Sequence, residues 1–338
     1  MELDNSKKNI LVTAWNDSGA GYLMRLLDNA SNVNILPFET LLGFNTNIGI
    51  KNKSDLIRPS NRWNLFRDKS IVLNYIKDNK NKIIEESKTY RGIRNIFDEN
   101  ELFDWLENRK FYEIQEFRPK IKIAILKFLK KNPIEKIEDS NQLYQFTFKY
   151  LDTIVKTFFN ENSAYSNIRI IHCPSMALDA TNSNFKEFFN KVVIVVIDPK
   201  WGFGNMHLRN KISLKRYLER WFQVNNSSLN YLRKSSNAIS IITSKDIDRN
   251  YLNARKVFEF LESPINIKNL NPSILGNTKN CIGYPYGGIT SFKKSEIDKA
   301  YSLYSLHLNK NNNTLFEKCN SIYDDLKKIS RKPVIVSQ

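Results

Sequence analysis

Residues 10–28 read "ILVTAWNDSGAGYLMRLLD", and the fold turns on how this stretch is parsed. Ile10 to Ala14 is an apolar run with β-branched members, which predicts a buried strand. The Ser-Gly-Ala-Gly segment at 18–21 is a turn of small residues. From about Tyr22, apolar residues recur at helical spacing through Leu27, which predicts an amphipathic helix. A strand, a tight turn and a helix together present backbone N–H groups and the positive helix end to an anion. Gly19 and Gly21, flanking Ala20, allow the backbone to fold closely there. The nucleotide-kinase pattern GxxxxGK[ST] is absent, because the residue after Gly21 is Tyr22. The turn is therefore either an anion cradle without its usual cation or a plain connection between strand and helix.

Working outward, four further short runs match the first strand: "VNILP" (33–37), "IRIIH" (168–172), "KVVIVVI" (191–197) and "AISIIT" (238–243). Helical patterns separate most of them, the rhythm of an α/β fold with a parallel sheet of about five strands flanked by helices. Residues 51–160 interrupt that rhythm as a large helical insertion within a single domain spanning 1–338. Leu102, Trp105 and Leu106 share one helical face there, and "IKIAILKFLKK" and "LYQFTFKYLDTIVKTFF" show the same periodicity. The insertion's aromatics read as core, and the segment as a lid or an acceptor-binding subdomain. "RNYLNARKVFEFLE" (249–262) predicts an amphipathic helix, 271–292 a turn-rich loop, and two polar helices near 295–308 and 314–330 close the chain.

The 338 residues carry a net charge of +17, with 41% hydrophobic and 12% aromatic content. This composition belongs to a folded chain with a sizeable core, attracted to acidic ligands or surfaces. The richness in Asn, Lys and Ile offers the other account of the charge, a solvated basic surface. Met1–Asn9 lacks a cationic-then-apolar leader, and the longest apolar run, Val192–Ile197, is too short to span a bilayer. Three cysteines (173, 281 and 319) lie far apart without a CxxC pair, which argues against a disulfide framework and a zinc site. The expectation is a cytoplasmic protein with no metal. No nucleic-acid partner is expected, since helix-turn-helix, zinc and RNA-sheet signatures are missing.

"PFET" (37–40) ends the second apolar run with Glu39, a candidate general base if that strand lies beside the first, over the crevice where open sheets bind ligands. Taken in order, "SGAGYLMRLLD", "VNILPFET", "IRIIHCPSMALD", "FFNKVVIVVIDP", "AISIITSKDIDRNYLNARKVFEFLE" and "YPYGGITSF" resemble the sulfotransferases that use 3′-phosphoadenosine-5′-phosphosulfate (PAPS). The resemblance covers most of 9–40 and 165–295. It implies a P-loop-like sulfotransferase fold with nucleotide held by Asn16, Asp17, Ser18, Gly19, Ala20, Gly21 and Tyr22, by Asn205, and by Tyr286, Gly287 and Gly288 of the late loop. It also implies Glu39 as base on an acceptor hydroxyl, with His172 donating to the bridging oxygen when protonated. "WGFGN" (201–205) reads as an aromatic-glycine loop that stacks on a base or merely turns.

The departures from that pattern are specific. Asn16-Asp17 stands where the family has a Pro-Arg or Pro-Lys pair, and Ala20-Gly21 where it has two threonines. Ile197 replaces the Arg of Arg-Asp-Pro, Asn205 the later Ser, and His172 the Lys of Lys-x-Pro. Losing two charged hydrogen bonds costs about 3–6 kcal/mol, roughly a hundred- to ten-thousand-fold in affinity. Cofactor use then requires substitute cations, for which Lys200, Arg209, Arg25, Lys293 and Lys294 are candidates. Two functions follow. One is a sulfotransferase moving a sulfuryl group from PAPS to a hydroxyl on a small molecule or glycan; the other is a catalytically degenerate protein of that fold that binds a nucleotide or acidic polymer. A second copy of the chain, in a homodimer, is a further candidate partner.

Overall fold

The computed structural model describes residues 8–15, 18–27, 30, 32–39, 43–45, 62–97, 114–162, 167–173, 178, 183–243, 247–263 and 294–331. In chain order the first elements are β1 (Lys8–Ala14), α1 (Ala20–Leu27), β2 (Val33–Glu39), β3 (Gly43–Asn45) and β4 (Arg62–Asn64). Helices α2 (Leu65–Asp78), α3 (Lys80–Ser87), α4 (Tyr90–Ile96), α5 (Ile114–Lys131) and α6 (Ser140–Asn162) follow. Then come β5 (Ile168–His172), α7 (Ser183–Phe188), β6 (Lys191–Val196), α8 (Pro199–Asn210), α9 (Leu214–Lys234) and β7 (Ala238–Ile242). The last are α10 (Ile247–Leu261), α11 (Lys294–His307) and α12 (Lys310–Ser330).

All five apolar runs become strands of one parallel sheet, in the order β2-β5-β1-β6-β7. β1 is central: Ile10 lies beside Ile170 of β5 on one side and Lys191 of β6 on the other. Because side chains alternate along a strand, Ile10, Val12 and Ala14 face one way. They share a buried cluster with Val193, Val195, Ile241, Leu23 and Leu27 of α1, and Val257 and Phe258 of α10. Thr13, Ile194 and Ser240 are register partners on the opposite face. There the Ser240 hydroxyl donates to the Leu326 carbonyl of α12 (3.3 Å), and the buried Trp221 of α9 donates to the Ile197 carbonyl (3.2 Å). Both faces are thus covered by helices, as continuous apolar strands require.

The chain divides into two compact units, one of Met1–Pro37, Ser166–Ala180 and Phe189–Gln338, the other of Phe38–Tyr165 and Thr181–Phe188. Among the described residues the second unit is helical apart from the end of β2 and the β3–β4 antiparallel pair. Its centre is a stack of aromatics: Phe97 lies 4.2 Å from Tyr150 and 6.0 Å from Phe146, and Phe128 is 5.2 Å from Phe146. These rings are buried, as expected of core. The helical face at Leu102, Trp105 and Leu106 lies outside the described residues.

"WGFGN" is not a loop. Residues 201–205 lie inside α8, which starts at Pro199 with Asp198 as its N-cap. Two glycines within a helix cost about 1 kcal/mol each relative to alanine, and here close packing accounts for them. A Cβ on Gly202 would meet the Tyr217 hydroxyl at 2.2 Å, and one on Gly204 would meet the Ala300 Cα at 2.4 Å and its carbonyl oxygen at 2.6 Å. Trp201 and Phe203 are buried, so neither offers a face to a base.

Gly204→Ala therefore tests packing against propensity. Helix propensity alone raises stability, whereas displacing the α11 backbone costs about 1–3 kcal/mol. The expected outcome is a lower urea midpoint; a raised midpoint would show that α8 and α11 separate easily.

Candidate phosphate-binding turn at the carboxyl end of the sheet

The strand order makes β1 and β6 neighbours whose connections diverge. β1 leads toward β2 on one side, and β6 leads to β7 on the other. In open α/β sheets the crevice at such a divergence is where ligands bind. The residues that follow these two strand ends, Trp15 to Gly19 and Ile197 to Asp198, are the candidates.

After β1 the Ser18 N–H donates to the Trp15 carbonyl (3.2 Å), closing a tight turn. Gly19 has φ of +84°, the left-handed region, and its carbonyl accepts from the N–H groups of Tyr22 (3.1 Å) and Leu23 (3.3 Å). The helix begins at Ala20, two residues earlier than the periodicity predicts. Ala20 and Gly21 therefore belong to the helix, and Gly19 alone makes the turn. A side chain at Gly19 is excluded twice, by φ and by the Thr243 methyl, which would lie 2.6 Å from its Cβ. Thr243, just past β7, donates its hydroxyl to the Ser18 carbonyl and its N–H to the Val196 carbonyl (2.8 Å). It thereby ties the first turn to the ends of β6 and β7. Asn253 of α10 holds the Ile242 carbonyl (2.9 Å), and a small cleft is lined by Gly19, Tyr22, Leu23, Thr243 and Asn253 with Val195 and Ile241. Thr243 and Asn253 escaped the sequence reading; the only signal was a hydroxyl residue directly after a buried strand.

The Ser18 hydroxyl is a buried polar group of the turn without a partner among the described residues, as are Thr13 Oγ1 and Trp15 Nε1 at the same strand end. Ser18 is 2% exposed. A buried hydroxyl left unsatisfied costs about 1–3 kcal/mol. Ser18 lies two residues before the first residue of α1, and the Tyr22 and Leu23 amides of that helix already donate to the Gly19 carbonyl.

The end of β6 is occupied differently. Ile197 is 1% exposed and packs with Trp201 and Ala300. The Asp198 carboxylate accepts the Lys200 N–H (2.8 Å) through one oxygen and the Tyr301 hydroxyl (3.3 Å) through the other. Burial first, then the Asp198 charge, pushes the Tyr301 phenol up to about 12, so it remains a donor. The Lys200 ammonium lies over the rings of Phe316 (5.3 Å) and Tyr304 (5.9 Å).

Glu39 is the last residue of β2. The expectation that its strand lies beside β1 is corrected, because β5 runs between them. His172 ends that intervening strand, in register with Val12, and is 4% exposed. Desolvation pushes its imidazole down to about 3. At neutral pH it is an uncharged ring, not an imidazolium. Asn205 and Arg209 lie in α8, Arg25 in α1, and Lys294 opens α11, but their side chains fall outside the description. Asn16, Asp17, Tyr286, Gly287, Gly288 and Lys293 lie outside the described residues. Among the described residues no group of three or more His, Cys, Asp or Glu could hold a metal ion, and no helix is long and apolar enough to cross a membrane.

The buried His172 makes stability depend on acid. Its folded value lies below the usual 6.5, so between about pH 6.5 and about 3 unfolding takes up a proton that the folded chain excludes. Stability is complete above that window and falls as pH drops through it, by at most about 1.4 kcal/mol per pH unit. Urea unfolding at about pH 7 and about pH 5 should show a smaller loss for His172→Gln than for the unaltered chain. Equal losses would place the acid sensitivity elsewhere.

No known family profile matches the chain, and neither does any curated protein. Among solved structures the chain is similar to the sulfotransferase domain from the curacin biosynthetic pathway. The match is 13% identical, covers 95% of this chain and 98% of that one, and has a TM-score of 0.46.

Proposed function

We propose that the chain is a sulfotransferase, taking a sulfuryl group from PAPS to a hydroxyl on a small molecule or glycan. One observation carries this reading: Ser18, the residue matching the family's Ser-Gly, has a buried hydroxyl without a partner among the described residues, at the start of α1. A phosphate oxygen satisfies that hydroxyl near the positive end of the helix. The fit is partial. Ser18, Gly19 and α1 suit a phosphate, whereas Ile197 offers nothing to a 3′-phosphate, whose charge then falls to Arg25, Arg209, Lys293 or Lys294.

When bound, the donor supplies a sulfuryl group on a phosphate leaving group; as the acceptor oxygen bonds to sulfur, the bridging S–O bond breaks and 3′-phosphoadenosine-5′-phosphate departs. Glu39 takes the acceptor's proton. The N-terminal end of α1 favours the negative charge that develops on the leaving group, a division of positioning and electrostatics suited to group transfer.

A second reading keeps the nucleotide and drops the chemistry. It is favoured by the end of β6, where Ile197 is sealed in an apolar cluster and both Asp198 oxygens are engaged.

Calorimetric titration with 3′-phosphoadenosine-5′-phosphate separates the two. Binding should be micromolar and weaken by about 10- to 100-fold in Ser18→Ala, the worth of one charged hydrogen bond. Urea stability of that variant should stay level or rise, because an unsatisfied hydroxyl has been removed. Glu39→Gln should keep nucleotide affinity and lose transfer to screened acceptors. Binding without turnover in the unaltered chain establishes the second reading. Absence of binding overturns both.

A further inference from the structure

Two of the chain's three histidines meet away from the turn. His207 lies in the last turn of α8 and His307 ends α11, with their Nε2 atoms 3.3 Å apart and ring centroids 4.5 Å apart. We propose that this pair binds a divalent transition-metal ion, zinc, nickel or copper, with both Nε2 atoms as ligands and water completing the shell.

Four features support the assignment. A metal held tetrahedrally at about 2.0–2.1 Å from two imidazoles sets their nitrogens about 3.3 Å apart, which is the separation observed. The His207 Nδ1 lies 2.8 Å from the Ile212 carbonyl, which can only accept. The ring's proton is therefore on Nδ1, and a neutral His207 presents a lone pair at Nε2. Anchoring the distal N–H on a carbonyl in this way is the usual support of a metal-binding imidazole. The two helix ends are also fixed. Lys211 caps the His207 carbonyl, Asn312 donates to the His307 carbonyl (3.3 Å), and Gly204 brings α8 against Ala300 of α11. Lastly, both rings sit at helix carboxyl ends, where the dipole favours a cation.

Imidazole donors without carboxylates select zinc, nickel or copper over magnesium or calcium. Both histidines are half-buried, so water reaches the remaining coordination positions. The bound ion would cross-link α8, which starts at the carboxyl end of β6, to α11. This inference stands whether or not the chain transfers sulfuryl groups.

The test is titration of the full chain, carrying no polyhistidine tag, with cobalt(II) and then zinc(II). One equivalent of cobalt should give visible tetrahedral bands with no near-ultraviolet thiolate transition, and zinc should displace it. His207→Asn and His307→Asn should each weaken binding by about tenfold or more, since even the outer-shell partners of metal ligands are worth 10–100-fold. Absence of uptake, uptake unchanged in both variants, or a thiolate band would overturn the assignment and leave two rings sharing a proton. Should either variant fail to fold, diethyl pyrocarbonate labelling of the unaltered chain decides. Zinc should protect His307 from acylation; equal labelling with and without zinc overturns the proposal.

Discussion

The carboxyl end of the sheet depends on the absence of a side chain at Gly19. Its positive φ turns the chain from β1 into α1, and the space a Cβ would occupy belongs to the Thr243 methyl. Thr243 in turn bonds the Ser18 carbonyl and the Val196 carbonyl, so one residue after β7 fixes the turn after β1 and the end of β6. Among the described residues these strand ends are joined by hydrogen bonds between uncharged groups.

The two strand ends divide their labour unequally. After β1, the Ser18 hydroxyl has no hydrogen-bond partner among the described residues, while the Tyr22 and Leu23 amides of α1 are taken by the Gly19 carbonyl. After β6, the side chains serve the fold itself: burying Ile197 contributes about 1.5–3 kcal/mol, and the Asp198 cap about 0.5–2 kcal/mol. A cation at 197 would forfeit the first of these and place a charge against Trp201 and Ala300. Ile197, where the resemblance implies an arginine, thus helps to seal α11 onto α8.

The strands were legible because each is a short β-branched run between turn residues, and the helices at 249–262 and near the C-terminus because their apolar spacing is regular. Strand order was not legible. Nothing in "PFET" reveals that β5 intervenes between its strand and β1, since pairing is decided by crossovers through distant segments. "WGFGN" was misread because glycines signal turns locally, while Gly202 and Gly204 answer to Tyr217 and Ala300, residues of other helices. At the site, Ser18 and Gly19 could be read from composition, but Thr243 and Asn253 could not, because their roles come from packing. The His207–His307 pair is a hundred residues apart in the chain and carries no motif.

His172 sets the electrostatic character of the sheet's carboxyl end. Where the related pattern has a lysine, this chain has an imidazole driven neutral by burial. A lysine in that position would pay a desolvation cost of the same origin and would need an anion to hold its charge. The neutral ring needs none, so the strand end is stable with or without a ligand. The net charge of +17 then acts chiefly as a field that draws anions toward the surface, a contribution that salt screens within about 10 Å. At hydrogen-bond range the described turn after β1 presents an uncharged donor, the Ser18 hydroxyl. Such a donor recognises a tetrahedral anion by geometry, and its contribution survives salt concentrations at which the long-range attraction has gone.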